Sequence, residues 1–167
     1  MYLRTLGAIV CVFLWAGLSH AQFKWSGSGQ CAKPEPDYTI EVGDHPGHAF
    51  NIQKSTCSWS TQTAIEGLQH QGGSATAFND ISQNKSRYHG IYLDTLSNGD
   101  KVTYRYEGAG TVKDGKLASF EEKWTLLSGT GKLKGAKAQG TCKGSGNADG
   151  SSHVECQGEF HLVQAGK

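Results

Sequence analysis

The sequence predicts an all-β fold, an antiparallel up-and-down β-barrel of ~8 strands stapled by two disulfides. Three observations predict it. Apolar and polar residues alternate through segments of ~8–12 residues that are separated by turn chemistry. No Gly-free stretch of helix length repeats apolar positions at three and four. Five cysteines fall to an even set of four once an N-terminal leader is set aside. The chain has 167 residues, with Lys+Arg 16 against Asp+Glu 15, 19% charged and 10% aromatic residues. That is one domain with a real core. It excludes disorder, and it excludes a nucleic-acid binder that works by neutralising phosphates.

The leader comes first. Arg4 supplies a positive n-region, Leu6–Leu18 an apolar run, and Ser19-His20-Ala21 the small residues a signal peptidase reads. The expected division is a signal peptide at 1–21, cleaved after Ala21, and a single barrel domain at 22–167. The apolar run is shorter than the ~20 residues of a membrane span, so export to the periplasm or the extracellular space is expected, without stable membrane insertion. Arg4 leaves with the leader, which balances basic against acidic residues. In an oxidising compartment Cys31, Cys57, Cys142 and Cys156 read as disulfides, with three pairings open. Zinc is the weaker reading, because no pair has the short ligand spacing of a structural site.

Strands are expected near 23–31, 38–42, 48–59, 74–84, 87–96, 101–112, 117–127, 137–145 and 152–163. Three turns bear on register. Asn98-Gly99 favours a two-residue type I′ hairpin, which sets Leu93 opposite Tyr104, Ile91 opposite Tyr106, His89 opposite Gly108 and Arg87 opposite Gly110. Ala148-Asp149-Gly150 suits a three-residue loop ending in a left-handed Gly, which sets Asn147 opposite Ser151 and Cys142 opposite Cys156. Directly opposed residues are within disulfide reach, which leaves Cys31 for Cys57. The third turn, Lys113-Asp114-Gly115-Lys116, is ambiguous. A two-residue hairpin points Leu117, Glu121 and Lys123 to the core, whereas a one-residue shift points Ala118, Phe120, Glu122, Trp124 and Leu126 there. Burying the large apolar side chains is worth ~1.5–3 kcal/mol each, which favours the shifted register. Gly108 then faces Glu122 and Gly110 faces Phe120.

The segment Ser128-Gly129-Thr130-Gly131-Lys132-Leu133-Lys134-Gly135-Ala136-Lys137 follows a Trp-containing strand. It resembles the Gly-Gly-Thr-Gly-x-Phe-x-x-Ala-x-Gly signature of the dirigent and allene oxide cyclase barrels. Ser128, Leu133 and Ala138 depart from that signature. The resemblance implies an eight-stranded, calycin-like barrel with an apolar cavity, oligomeric in many members, that holds or cyclises small hydrophobic molecules. Gly129–Lys132 does not read as a phosphate cradle, since neither the spacing nor a following helix is present.

The register places His89 and Glu122 on either side of Gly108 with Arg87 one pleat away. Desolvation in a barrel interior would make Glu122 a candidate general base and Arg87 an anion anchor. The competing reading is a structural cluster in which Arg87, His89 and Glu122 satisfy one another, and in the unshifted register Glu122 faces outward. Tyr104, Tyr106, Phe120, Trp124, Ile91 and Leu93 are candidate ligand contacts, or else ordinary core. His45-Pro46-Gly47-His48 with Asp44 reads as an exposed loop, and no metal or cofactor is expected. Asn84-Lys85-Ser86 has the glycosylation acceptor pattern. Lys132, Lys134, Lys137 and Lys143 read as a solvated face offset by Glu155 and Glu159. The leading expectation is a binding or scaffold module, not an enzyme, for a small, mostly apolar molecule. A cofactor-free isomerase or cyclase and a filled structural barrel are the alternatives.

Overall fold

Period-two alternation produces nine strands: β1 (Ala21–Cys31), β2 (Asp37–Glu41), β3 (His48–Gln62), β4 (His70–Ser82), β5 (Lys85–Leu96), β6 (Lys101–Lys113), β7 (Lys116–Gly129), β8 (Lys137–Gly146) and β9 (Ser152–Leu162). The computed structural model describes residues 21–162. The expected signal peptide therefore lies outside the described residues except for Ala21, as does the last residue of the expected final strand. Neighbours in sequence pair antiparallel from β2 through β9, and β9 pairs with β1. Pairing of β1 with the second half of β3, from Gly27–Gln62 to Cys31–Cys57, closes the sheet. The result is an eight-stranded closed antiparallel barrel of β1 and β3 to β9. Strand β2 continues the line of β1 along the first half of β3 after the break at 32–36. Closure removes the free edges that an open sheet of this size would expose.

The loop Ala148-Asp149-Gly150 forms as expected: Asn147 donates to Ser151, and Gly150 takes φ +87°. Cys142 and Cys156 are opposite one another and bonded, as are Cys31 and Cys57. At Asn98-Gly99 the register differs by one residue from expectation. The Leu96 amide donates to the Asp100 carbonyl and Gly99 to that of Leu96, so the loop has three residues, and Gly99 alone of the three has positive φ. A type I′ turn needs positive φ at Asn98 as well. Asn98 instead exchanges hydrogen bonds with Asp100, its Oδ1 accepting from the Asp100 amide at 3.0 Å and its Nδ2 donating to Oδ2 at 2.7 Å. Tyr92, not Leu93, is therefore opposite Tyr104, and Gly90, not Ile91, is opposite Tyr106.

Both readings of the β6–β7 turn hold, each over part of the hairpin. Asp114 and Gly115 have φ +53° and +73°, a two-residue turn with Lys113 opposite Lys116 and Val112 opposite Leu117. A β-bulge at Ala118 then shifts the pairing, so that Gly110 is opposite Phe120 and Gly108 opposite Glu122. The extra residue sends Leu117 and Phe120 to the same face. Ala118 is thus a bulge residue and not a member of the regular inward series.

One end of the barrel is sealed. Ile65, Leu68, Leu96, Val102, Leu133, Phe160 and Leu162 are buried there. Leu133 belongs to a short 3₁₀ turn, Gly131–Leu133, in the segment with the signature-like glycines. It is fully buried, so the residue standing where the signature has Phe serves as the plug. At the other end Asp37, Thr39 and Gly115 are exposed.

Candidate functional site

Inward-facing aromatic side chains leave a cavity of about 310 Å³ that reaches from Trp25, His70 and Phe160 above the plug to Asp37, Thr39 and Gly115 at the mouth. Its walls are Trp59, Tyr88, Tyr92, Tyr104, Tyr106, Phe120 and Trp124. Glycines on adjacent strands make room for these rings. A Cβ at Gly90 would collide with Tyr106, at Gly140 or Gly158 with Trp124, and at Gly144 with Phe120. At Gly108 it would meet Glu122 Cβ at 2.7 Å and the Tyr88 hydroxyl at 2.8 Å. The space beside Gly108 and Gly110 is thus filled by neighbouring side chains rather than open. These glycines seat rings against the sheet, and the void lies between the rings.

Near the plug the polar groups are paired. Asp94 is buried and accepts from His70 Nδ1 at 3.0 Å, Trp59 Nε1 at 3.0 Å, and the amides of Gly72 at 2.9 Å and Thr95 at 2.6 Å. Burial alone would raise its carboxyl pKa, but the hydrogen bonds and charge of His70, with Trp59 and Thr95, hold it below the usual carboxylate range. Along the aromatic walls the pattern reverses. Trp25 Nε1, Tyr88 Oη, Tyr92 Oη and Trp124 Nε1 are buried without a hydrogen-bond partner among the described residues. Burial pushes the phenols of Tyr88, Tyr92, Tyr104 and Tyr106 upward, so each is protonated at neutral pH, with Tyr104 Oη paired to His70 Nε2 at 3.5 Å. Glu122 is in the same region. Burial raises its carboxyl to about 7, and the nearby Tyr88 hydroxyl, lacking good hydrogen-bond geometry toward it, offsets that only in part.

Of the residues expected from sequence, Tyr104, Tyr106, Phe120, Trp124 and Glu122 line the cavity. Ile91, Leu93, Arg87 and His89 do not, because the one-residue change on β5 turns all four outward. Ile91 is opposite Arg105, Leu93 opposite Thr103, His89 opposite Glu107 and Arg87 opposite Ala109. Leu93 is 52% exposed. The expected meeting of His89 and Arg87 with Glu122 over Gly108 does not occur, and Tyr88 occupies that place. Trp25, Trp59, His70, Tyr88, Tyr92 and Asp94 were missed. Tyr88, Tyr92 and Asp94 alternate along β5, and a three-residue loop at 97–99 would have placed them inside together. On the outer surface Lys143 pairs with Glu155 at 3.4 Å, both exposed. No helix among the described residues is long and apolar enough to cross a membrane. The two disulfides are compatible with a secreted protein.

The molecule is, in class, a closed antiparallel barrel with one sealed end and an aromatic cavity. No family model matches the chain, and no curated protein matches it. Among solved structures it is similar to the pterocarpan synthase dirigent protein GePTS1, at 12% identity and a TM-score of 0.48 over 98% of this chain and 99% of that one. It is also similar to the pterocarpan synthase dirigent protein PsPTS1, at 12% identity and a TM-score of 0.48 over 88% of this chain and 97% of that one.

Proposed function

We propose that this chain, exported and cleaved after Ala21, binds a small, mostly apolar molecule in the barrel cavity. The observation that carries the reading is that four residues with a buried, unpartnered polar atom, Trp25, Tyr88, Tyr92 and Trp124, all line one void. An unmade buried hydrogen bond costs ~1–3 kcal/mol, so a guest offering acceptor oxygens to these donors would recover several such terms. The volume of about 310 Å³ is at the small end of ligand pockets, ~300–1,000 Å³. The guest is accordingly compact, with an apolar body against the rings and one or two oxygens. A void of that size argues against the filled structural barrel.

Native mass spectrometry of protein taken from its own source tests the reading. A co-purified small molecule at one per chain is expected. Ala77→Phe, which grows a ring from the cavity wall, should release it while the fold is retained; a guest kept by that variant would place binding elsewhere. Cofactor-independent isomerisation or cyclisation is the second reading, favoured by Glu122 alone. A carboxyl near 7 beside the cavity can give and take a proton at neutral pH. Arg87 and His89 face outward and have no part in it. With the recovered molecule as substrate, Glu122→Gln should abolish turnover in an enzyme and leave binding intact in a carrier.

A further inference from the structure

The loop between β2 and β3 brings Asp44, His45 and His48 together at the outer rim of the barrel. One nitrogen or oxygen from each lies within 4.8 Å of the others. Both imidazoles turn Nδ1 toward the same carboxylate. His48 Nδ1 is 2.6 Å from Asp44 Oδ1, and His45 Nδ1 is 3.1 Å from Asp44 Oδ2. The rings stack with centroids 4.7 Å apart. Gly47 at φ +75° makes the return, and its carbonyl accepts from the Gln83 amide at 3.1 Å, which ties the loop to the β4–β5 turn.

The far side of each ring is also held. His48 Nε2 is 3.2 Å from Asp80 Oδ1, and His45 Nε2 is 3.0 Å from Ser82 Oγ. Asp80 and Ser82 come from β4, more than thirty positions along the chain, so the sheet and not the loop supplies these anchors. A metal-ligating His usually gives its other ring N–H to a carboxylate, carbonyl or hydroxyl group that fixes tautomer and orientation. Here both rings have such a partner on Nε2 while both Nδ1 atoms converge. Each inner Nδ1 is within hydrogen-bond distance of an Asp44 oxygen, so a single proton holds each ring to the carboxylate. A metal ion at the Nδ1 side would replace the inner proton and bridge Asp44 to both rings.

We propose that Asp44, His45 and His48 form a surface site for a divalent transition-metal ion, ligated by the two imidazole Nδ1 atoms and the Asp44 carboxylate, with Asp80 and Ser82 orienting the rings. Two nitrogens and one oxygen with open positions suit Cu²⁺ and Zn²⁺, with Cu²⁺ the tighter. The site faces outward from the rim and is independent of the cavity. His45 and Asp44 are half-exposed, which gives the ion direct access from solvent.

Titration calorimetry of the tag-free mature chain with CuCl₂ and with ZnCl₂ tests this. One equivalent of each is expected, with protons released on binding. His45→Gln and His48→Gln should each remove that binding, and Asp80→Asn should weaken it about 10–100-fold. His89→Gln, at another exposed imidazole, should change nothing. Electron paramagnetic resonance of the Cu²⁺ complex should show two coordinated nitrogens. Absence of the one-equivalent site in the wild-type chain, its persistence in His48→Gln, or a signal from one nitrogen would overturn the proposal. Unaltered thermal melting of each variant separates lost ligation from lost fold.

Discussion

Glu122 is half-buried at the wall of an aromatic cavity, where the Tyr88 hydroxyl favours its charged form. Its carboxyl rises from the ordinary 4.5 to about 7 on folding. The native state therefore holds the proton more tightly than the unfolded chain. Stability from this group is fully present below pH 4.5 and is lost as pH rises through 7. At ~1.4 kcal/mol per unit, the cost of charging Glu122 approaches about 3 kcal/mol above pH 7. Asp94 has the opposite sign. Its carboxyl is held below 3.8, so its contribution is present above that value and is lost as pH falls through the lower folded pKa. The two groups act in separate pH windows. Glu122→Gln should stabilise the protein by roughly 2–3 kcal/mol at pH 8 and by little at pH 4, read by urea denaturation at both pH values. An equal effect at both would mean that Glu122 does not titrate as its burial requires.

At the scale of the element, the β6–β7 hairpin combines a favourable turn with a favourable core face by inserting one residue. Asp114-Gly115 makes the tight turn, and the bulge at Ala118 then restores Phe120, Glu122 and Trp124 to the interior. Deleting Ala118 should remove the bulge but keep Thr111 opposite Ser119 and all that follows. That variant should fold, with stability within about 1–2 kcal/mol of wild type. Deleting Lys123 instead has to be absorbed at the Ala118 bulge or at the second bulge, Leu127, and turns Phe120 outward by the first route or Trp124 by the second. Losing one such buried ring forfeits ~1.5–3 kcal/mol before any repacking, and the barrel should not form. Circular dichroism melting of the pair compares them. The same hairpin illustrates what was legible in the sequence. Strand number, the Ala148–Gly150 loop, both disulfides and the inward set Phe120, Glu122 and Trp124 follow from alternation and turn chemistry. The β5 face did not, because both its faces carry large apolar residues: Tyr88 and Tyr92 on one, Ile91 and Leu93 on the other. With hydrophobicity undecided, the Asn98-Gly99 dipeptide set the expectation, and the side-chain hydrogen bonds of Asn98 to Asp100 that select the longer loop are a tertiary detail. The Asp80 and Ser82 anchors of the histidine loop were likewise hidden by sequence distance.

Over the whole molecule, the two disulfides close unequal parts of the barrel. Cys142–Cys156 joins β8 to β9, a hairpin paired from Lys137–His161 to Gly146–Ser152 with its own three-residue loop. Cys31–Cys57 joins β1 to β3, the seam where the sheet meets itself. That seam runs only from Gly27–Gln62 to Cys31–Cys57 and is broken by a bulge between Ser28 and Gly29. Beyond Cys31 the regular ladder stops, and isolated backbone hydrogen bonds, from the Ala32 amide to the Thr56 carbonyl and from the Glu35 amide to that of Lys54, carry the chain along β3 to β2, which is exposed throughout. Loop entropy alone makes the two bonds similar: for separations of 14 and 26 residues it gives about 3 and about 3.5 kcal/mol. Their structural consequences differ more than that. Without Cys142–Cys156 the hairpin ladder still holds β8 and β9 together. Without Cys31–Cys57 the seam loses its terminal tie at the point where β1 gives way to β2, so the barrel can open there without global unfolding. Hydrogen exchange of Cys31→Ser/Cys57→Ser should show faster exchange across Gly27–Cys31, β2 and the facing half of β3, with β5 to β7 protected. Cys142→Ser/Cys156→Ser should lose global stability without that local opening. Equal loss of protection around both pairs would contradict a barrel whose weakest line is its closing seam.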